Sequence, residues 1–586
     1  MTEVTTSITS TKTESAAAET NLGAFWRDVR TKLWLGCFAL LSLLSLALIW
    51  FFPYVPTQDG PAHLDAAATL LRLAEGGSFQ SLFFEAQWRV ATNQLYHGLL
   101  VLLGSVFPLL IAEKLLLSVY ALGVPAAALF AMRGLRGSSP LAIFLIFPAI
   151  YSYVFYLGFY NFCAGLVFFL LTLGVFFRLL GATTLRRSAV LTALLALCLA
   201  LCYAAHIVSA ANALLALGVM TLVALFRRRA HAPRHALLVA LAALPTVGFV
   251  GYFFLTQPSS AEEGATNFLS VPDLIAAFFF HVPNLPYKVY SPLIIHSWLD
   301  ALFSAPWHLL LVALLGLALL QSVRERSVER PDLLAALAVF LFIILWTPNR
   351  LGEIGFLTDR FLPYGYALLT LWLSVVHFSP RTWRRVALAG TLCAAAIFVY
   401  RLPLHAMLNA NLREFVSAEE VVGDGSAVLP LILVKDDNAY PPEGLVLPNM
   451  RYSEVLHAVG YLALERSIAT LNDYQASKGY FPLRYKEAAS PVSYLAEGEF
   501  AALERPPFAF DLSAYREETG RKVDYLLLWG DLDEVRARPD VQGILAQLGD
   551  YTLVHTSEPR NLMRVYARQP LADAGRAVEG AAQDSP

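Results

Sequence analysis

Three residues capable of acid–base chemistry stand close together in the segment PTQDGPAHLDAA, just after the first long apolar run. Asp59, His63 and Asp65 lie within seven residues, and Pro61 is typical of the first turn of a helix. Asp59 then takes the N-cap position, His63 follows one turn later, and Asp65 falls on a different face. The segment predicts either a helix cap on a juxtamembrane helix or a catalytic site. The two are compatible, because a capped carboxylate is also an oriented one.

The chain that positions these residues has the composition of a polytopic membrane protein. Of its 586 residues, 57% are hydrophobic and 15% are charged, whereas soluble proteins carry about 25% charged residues. The net charge of −2 argues against general binding of nucleic acid. All five cysteines lie in apolar segments, which predicts packing roles rather than disulfides or a metal site.

Twelve apolar runs are long enough to consider as membrane segments: 33–53, 95–111, 113–132, 139–157, 159–180, 188–204, 206–226, 236–255, 304–321, 332–348, 358–378 and 385–402. Arginine-rich linkers separate them in pairs, so these linkers and the N-terminus are predicted to be cytoplasmic. A full crossing at 95–111 would place Arg133 and Arg136 on the other side. We therefore expect eleven full spans, with 95–111 short, re-entrant or tilted at the interface.

After residue 403 the pattern becomes that of a soluble domain. AVLPLILV, VDYLLLW, YTLVHT and LMRVYAR are typical of strands, and SEVLHAVGYLALER and EVRARPDVQGILAQLG of helices. The predicted fold class is a polytopic α-helical membrane protein of about 11–12 membrane helices with a C-terminal soluble α/β or α+β domain. The expected divisions are a disordered tail 1–22, a transmembrane domain 23–403 with outer loops 54–94 and 256–303, an extracytoplasmic domain 404–570, and a disordered tail 571–586.

Polar residues at the depth of the membrane are costly and tend to mark function. In this topology they gather on the predicted outer side, whereas the inner side carries mainly arginine anchors. Part of the loop 256–303 is aromatic and broken by prolines, which predicts an interfacial helix that either fences a lipid or simply covers the bundle.

The first span, the acidic outer loop, the run NQLYHGLLVLLGSVF and the basic RGLRG linker together resemble the GT-C superfamily of integral-membrane glycosyltransferases. This superfamily includes protein O-mannosyltransferases and lipid A aminoarabinose transferases. The resemblance covers about 20–400 as architecture and the C-terminal region only loosely. QDGPAHL departs from the commoner Asp-Glu pair, because Gly60 stands where the second acid often is.

The resemblance implies transfer of a sugar from a polyprenyl-phosphate-linked donor to an acceptor hydroxyl at the extracytoplasmic face, with Asp59 as general base. His63 would orient Asp59, contact phosphate or ligate a metal. A cation must stabilise the departing phosphate, and Arg360 fits this role unless it is a plain interfacial anchor. The other candidates for substrate or phosphate binding are His206, Lys288, Arg350, Asn161 and His97.

No cofactor is indicated with certainty, and a divalent metal held by Asp59, His63 and Asp65 is only weakly supported. Asp65 is expected to be solvated or accessory. The expected partners are the lipid-linked donor, membrane lipid and an unidentified glycan, lipid or protein acceptor. We expect a bacterial inner-membrane protein with a cytoplasmic N-terminus and an extracytoplasmic C-terminal domain. The alternatives are a transporter or flippase of an envelope precursor, and a non-catalytic protein on the same scaffold.

Overall fold

The computed structural model describes residues 29–256, 297–346, 356–433, 452–492, 494–495 and 510–569. Within these ranges the membrane region consists of helices joined by short linkers. They are α1 (Val29–Trp50), α2 (Gly60–Glu75), α3 (Leu95–Gly104), α4 (Leu109–Gly134), α5 (Tyr153–Tyr156), α6 (Tyr160–Leu180), α7 (Leu185–Ala205), α8 (Ile207–Phe226), α9 (Ala232–Thr256), α10 (Ser297–Glu325), α11 (Pro331–Trp346), α12 (Leu357–Val375) and α13 (Pro380–Val416).

Eight helices of the described chain are long and apolar enough to cross a membrane, so the chain is an integral membrane protein. They are α1, α4, α6, α7, α8, α9, α10 and α13. Shorter apolar helical segments include 140–156 and α11, and α12 is a helix of 19 residues. The eleven full spans expected from the sequence remain a prediction.

The predicted segment 95–111, whose full crossing would have placed Arg133 and Arg136 on the wrong side, contains only a short helix. α3 has ten residues, and at about 1.5 Å per residue it covers only half of the hydrocarbon thickness. α4 therefore returns to the end of the bundle that carries the arginine-rich linkers. We call this the arginine-rich end, and the opposite end, where α2 lies, the α2 end.

The predicted apolar run at 139–157 is not one continuous helix. Two 3₁₀ segments, Pro140–Leu145 and Phe147–Tyr151, precede the single turn α5. Pro148 lacks a backbone N–H group and its ring obstructs the preceding turn, which interrupts an α-helix. The run nevertheless delivers Tyr156 and Gly158 to the α2 end, beside the start of α2.

The C-terminal region forms a five-stranded mixed sheet, which agrees with the predicted α/β or α+β domain. Its elements are β2 (Ser426–Ile432), α14 (Val459–Glu465), β3 (Ile468–Thr470), α15 (Leu512–Thr519), β5 (Tyr525–Trp529), α16 (Leu532–Val535), α17 (Pro539–Ala546), β6 (Tyr551–Thr556) and β7 (Met563–Arg568). The strand order is β3-β2-β5-β7-β6; β3, β2 and β5 are parallel, and the other pairs are antiparallel.

The sheet is covered on both faces, as expected for parallel strands. Along β2, Val428 and Ile432 join a buried cluster that continues into the membrane bundle, while Leu429 and Leu431 join a second cluster on the far side. A small antiparallel pair also links the two regions, since β1 (Phe84–Ala86) pairs with β4 (Leu483–Tyr485). α13 continues past the expected domain boundary at 403 and leads directly into this sheet.

Candidate functional site

The site begins where α2 starts. Pro61 lies in the first turn of α2, and Asp59 takes the N-cap position, but the Asp59 side chain makes no capping hydrogen bond. The backbone N–H of Asp59 instead donates to the carbonyl of Leu157 at 3.2 Å. The interpretation of Asp59 as a simple helix cap is therefore wrong, because its carboxylate points to other partners.

Those partners come from the C-terminal domain and from the preceding residue. The Tyr474 hydroxyl donates to Oδ2 of Asp59 at 2.8 Å, and the Gln58 amide donates to Oδ1 at 3.2 Å. Nε2 of His457 lies 3.6 Å from the same Oδ1. Asp59 is 5% exposed, so these contacts hold the carboxylate in a defined orientation.

Burial determines the protonation of the two aromatic partners. It lowers the pKa of His457 to about 3, so the imidazole is neutral at physiological pH and its approach to Asp59 is not an ion pair. Burial, followed by the charge of Asp59, raises the pKa of Tyr474 well above its usual value. Tyr474 therefore remains a hydrogen-bond donor to Asp59.

His63 forms a second polar cluster with His97. Nδ1 of His63 lies 3.1 Å from Nε2 of His97, and the Gln475 amide contacts both rings, at 3.0 Å from His63 and 2.9 Å from His97. Nε2 of His63 lies 3.0 Å from the Gly158 carbonyl, to which it donates when this nitrogen is protonated. Burial and the neighbouring His97 lower the pKa of His63 well below its usual value, which favours a neutral ring.

Asp65 is buried, which contradicts the expectation of a solvated side chain. Burial raises the pKa of Asp65 to about 6, and burial together with the charge of Asp65 raises the pKa of Asp473 to about 8. Oδ1 of Asp473 accepts hydrogen bonds from the backbone N–H groups of Gln475 and Ala476. This carboxyl pair therefore lies between α2 and the loop that carries Tyr474 and Gln475.

Arg360, in the first turn of α12, contacts His206. Its Nη1 lies 3.0 Å from Nε2 of His206, which caps α8 through Nδ1. The guanidinium also lies 4.7 Å from the centre of the Phe159 ring. Because Phe159 follows Gly158, which contacts His63, the Arg360 pair and the Asp59 region share one backbone segment.

Gly158 explains how closely that segment approaches α2. Its φ is +78°, a conformation that side chains rarely adopt, and a Cβ atom there would lie 2.7 Å from the backbone nitrogen of Asp59. Only glycine permits both the turn and the close approach.

Two other predicted residues support this architecture, and two lie outside the described ranges. The Asn161 amide accepts from the backbone N–H of Tyr96 and donates to the carbonyl of Asn93, which ties α6 to the start of α3. His97 lies on the buried face of α3. Lys288 and Arg350 fall outside the described residues, as does the predicted interfacial helix in 256–303.

Sequence reasoning missed the three residues from the C-terminal domain, His457, Tyr474 and Gln475. They belong to no recognisable motif, and 453–466 was assigned only as a helix. Within the described ranges, no group of three or more His, Cys, Asp or Glu residues is arranged to hold a metal ion.

No model of a known protein family matches the chain, and no curated protein sequence is similar to it. Solved structures do show a related fold. The apo structure of ArnT from Cupriavidus metallidurans has 11% sequence identity and a TM-score of 0.51, covering 92% of this chain and 98% of that one. ArnT from the same organism bound to undecaprenyl phosphate has 13% identity and a TM-score of 0.48, covering 90% and 98%. The chain therefore shares its fold, a polytopic helical bundle with a sheet-containing C-terminal region, with ArnT, and the predicted fold class is confirmed.

Proposed function

We propose that this protein is a membrane glycosyltransferase that moves a sugar from a polyprenyl-phosphate-linked donor to an acceptor hydroxyl at the extracytoplasmic face. The observation that carries the proposal is the Asp59 carboxylate, which is buried at a helix start and oriented by Tyr474 and Gln58 instead of capping its helix. The fold shared with ArnT supports a transferase in general terms. The α2 end would face the extracytoplasmic side, since the arginine-rich end would be cytoplasmic.

In the proposed reaction, Asp59 accepts the proton of the acceptor hydroxyl as that oxygen attacks the anomeric carbon of the donor. The bond between this carbon and the phosphate oxygen breaks, and the electron pair leaves with the polyprenyl phosphate. The new glycosidic bond forms on the opposite face of the sugar, so its configuration is inverted.

Arg360 is the proposed ligand of the departing phosphate. A guanidinium offers several N–H donors in a planar fork and keeps its charge at any physiological pH. The adjacent His206 and Phe159 hold the guanidinium in place. His63 would position the Gly158 segment between the two groups rather than touch the reacting atoms.

The test begins with a deletion strain whose glycolipids and glycoproteins are compared with those of the wild type by mass spectrometry. Complementation with the wild-type gene should restore the missing glycan, and Asp59→Asn should abolish the restoration without loss of folded protein. Asp531→Asn is the matched control. Asp531 also precedes a helix, but its carboxylate does cap it, by accepting from the N–H groups of Asp533 and Glu534.

Normal glycan transfer by Asp59→Asn would show that Asp59 is not the base. A deletion strain with unchanged glycans but an altered distribution of a lipid-linked precursor across the membrane would instead favour transport.

A further inference from the structure

His206 lies between the spans α7 and α8, and a hydrogen-bond donor points at each of its two ring nitrogens. The backbone N–H of Val208 donates to Nδ1 at 3.1 Å, which caps α8. The Arg360 guanidinium directs an N–H group at Nε2, with Nη1 3.0 Å away. A neutral imidazole has one donor and one acceptor nitrogen, and a protonated imidazole has two donors. In neither state can His206 accept from both neighbours.

The cap decides which nitrogen of His206 carries the hydrogen. The Val208 N–H belongs to the first turn of α8, where no helical carbonyl is available and a side-chain acceptor satisfies it. The Phe162 ring lies edge-on to the imidazole, 5.3 Å between centres, and fixes its orientation. Burial and the adjacent Arg360 charge lower the pKa of His206 well below its usual value. The ring is therefore neutral, and its hydrogen belongs on Nε2 while Nδ1 accepts from Val208.

With this tautomer, the contact between His206 and Arg360 brings two N–H groups face to face. Two donors that face each other gain nothing from their approach, whereas an oxygen placed between them accepts from both. An anionic oxygen is favoured, because hydrogen bonds from a guanidinium to a charged acceptor are the strong ones. The Arg360 side chain is long and partly exposed, so it can turn to admit this oxygen, while the capped imidazole stays in place.

The two helices that carry these donors are held together one turn further along. Tyr364, four residues after Arg360 in α12, donates its hydroxyl to Oγ of Ser209 in α8 at 2.6 Å. Both side chains are buried, and Gly165 of α6 makes room for them, since a Cβ atom there would collide with the same Oγ. The spacing of α8 and α12 is therefore fixed by packing, and His206 and Arg360 stay opposite each other when the guanidinium turns.

We propose that His206 is a second ligand of the donor phosphate, whose oxygen enters between Nε2–H of His206 and the Arg360 guanidinium and replaces their direct contact. This role rests on the proposed function, in which Arg360 receives the departing phosphate. The hydrogen stays on the ring, so His206 contributes binding and not proton transfer. The group that it recognises is the phosphate of the lipid-linked sugar before transfer and of the released lipid phosphate afterwards.

The experiment replaces His206 with asparagine and with glutamine in purified full-length protein and measures binding of undecaprenyl phosphate. Asparagine is a good N-cap residue, so His206→Asn keeps an acceptor for Val208 and removes the donor at Nε2. Undecaprenyl phosphate should bind this variant about tenfold more weakly than the wild type, as expected for the loss of one hydrogen bond to a charged group. Glutamine is longer, and its amide can supply a donor near the position of Nε2, so His206→Gln should recover part of the affinity.

Sugar transfer provides a second measurement, with undecaprenyl-phosphate-linked hexose, pentose and aminopentose as donors and membranes of the deletion strain as the source of acceptor. The contact exists before and after the glycosidic bond breaks. His206→Asn should therefore raise KM for the donor about tenfold and leave kcat within about threefold of the wild type.

Two controls separate phosphate binding from effects on the fold. Undecaprenol has the same lipid chain without the phosphate, and its binding should be equal in the wild type and in His206→Asn. Thr184→Asn is the matched variant, because Thr184 also caps a helix, α7, by accepting from Arg187, but at the arginine-rich end. It should leave both the binding of undecaprenyl phosphate and the melting temperature unchanged, since asparagine also caps.

The outcomes separate the two proposals. Wild-type protein that neither binds undecaprenyl phosphate nor transfers a donor sugar overturns the proposed function and this role with it. Binding without transfer overturns the function, and weaker binding by His206→Asn then still supports His206 as a phosphate ligand. Equally tight binding by the wild type and His206→Asn overturns the role of His206 alone. Loss of undecaprenol binding in His206→Asn, or a fall in its melting temperature that matches the loss, indicates an effect on the fold and also overturns this role.

Discussion

At the scale of single residues, the orientation of the Asp59 carboxylate depends on a tyrosine more than 400 positions away in the sequence. The Tyr474 hydroxyl donates to this carboxylate at 2.8 Å. A hydrogen bond to a charged group contributes about 1.5–3 kcal/mol. Losing it should therefore lower stability by a similar amount and release the Asp59 carboxylate from its orientation.

Tyr474→Phe should lower kcat for sugar transfer about tenfold, because Asp59 loses an orienting donor while remaining available as a base. Steady-state kinetics with the lipid-linked donor would measure this. The control is Tyr515→Phe, which removes a buried hydroxyl that donates to Ala489 in the second cluster. A fall of kcat to the level of Asp59→Asn would instead assign a direct chemical role to Tyr474.

The Arg360 guanidinium allows a second prediction at this scale. If it binds the donor phosphate, Arg360→Ala should raise KM for the donor at least about tenfold, and Arg360→Lys should recover only part of the affinity because an ammonium group lacks the planar fork. Arg178→Lys is the control, since Arg178 also lies over a phenylalanine ring, that of Phe130, but at the arginine-rich end. Unchanged donor KM in Arg360→Ala would make Arg360 an interfacial anchor.

At the scale of elements, α2 and the loop that carries Tyr474 are joined by the buried carboxyl pair of Asp65 and Asp473. Both folded-state pKa values, about 6 and about 8, are raised above the value of about 3.9 for an unfolded aspartate. A raised pKa means that the folded state binds the proton more tightly than the unfolded state. The contribution to stability is complete below about pH 4 and is lost as the pH rises through about 6 and then about 8.

The melting temperature of the wild-type protein, measured in one detergent, should therefore decline between about pH 5 and about pH 9. Asp473→Asn should flatten this decline, because its amide oxygen can still accept from Gln475 and Ala476 without ionising. Asp511→Asn is the control. Asp511 is an exposed helix cap with a lowered pKa, so its substitution should change the pH dependence of stability only in the acidic range and not between about pH 5 and about pH 9. Parallel curves for the wild type and Asp473→Asn would contradict this account of the junction.

The elements that were predicted correctly are those with a local sequence signal. Long apolar runs gave the spans, and β-branched and aromatic runs gave β2, β5, β6 and β7. The run at 139–157 departed from a helix because of its prolines, and β1 and β4 are only three residues each. The segment around Asp59 was identified because its polar residues are adjacent in sequence. Tyr474, Gln475 and His457 were not, since only the tertiary fold brings them to Asp59.

At the scale of the whole molecule, the candidate site is completed only where the C-terminal domain meets the membrane bundle. The junction is tightly packed: a Cβ atom on Gly460 of α14 would collide with the carbonyl of Pro61 in α2. The Tyr452 hydroxyl donates to Pro56, and the Tyr461 hydroxyl to Val55. The C-terminal domain thus forms part of the candidate site. A substitution that weakens its docking on the membrane bundle should therefore reduce sugar transfer even when the substituted residue lies outside the site.

Glu414, at the end of α13, offers a place to loosen the domain without touching the site. Its carboxylate is buried and accepts hydrogen bonds from Ser557, Arg560 and the backbone N–H of Leu562. Removing this carboxylate leaves buried polar partners unsatisfied, which costs about 1–3 kcal/mol for each of them. Glu414→Ala should therefore weaken docking of the sheet, increase hydrogen exchange in the loop 473–477 and reduce transfer by at least about tenfold.

The exposed ion pair between Glu85 and Arg484 provides the contrast, because it also joins the two regions. Its atoms lie 3.1 Å apart, but each side chain is 45% exposed, and such pairs contribute only about 0–1 kcal/mol. Glu85→Gln should therefore change neither hydrogen exchange in the loop nor the rate of transfer. If Glu414→Ala loosens the loop and the protein still transfers sugar at the wild-type rate, then Asp59 works without Tyr474 and His457, and the site belongs to the membrane bundle alone.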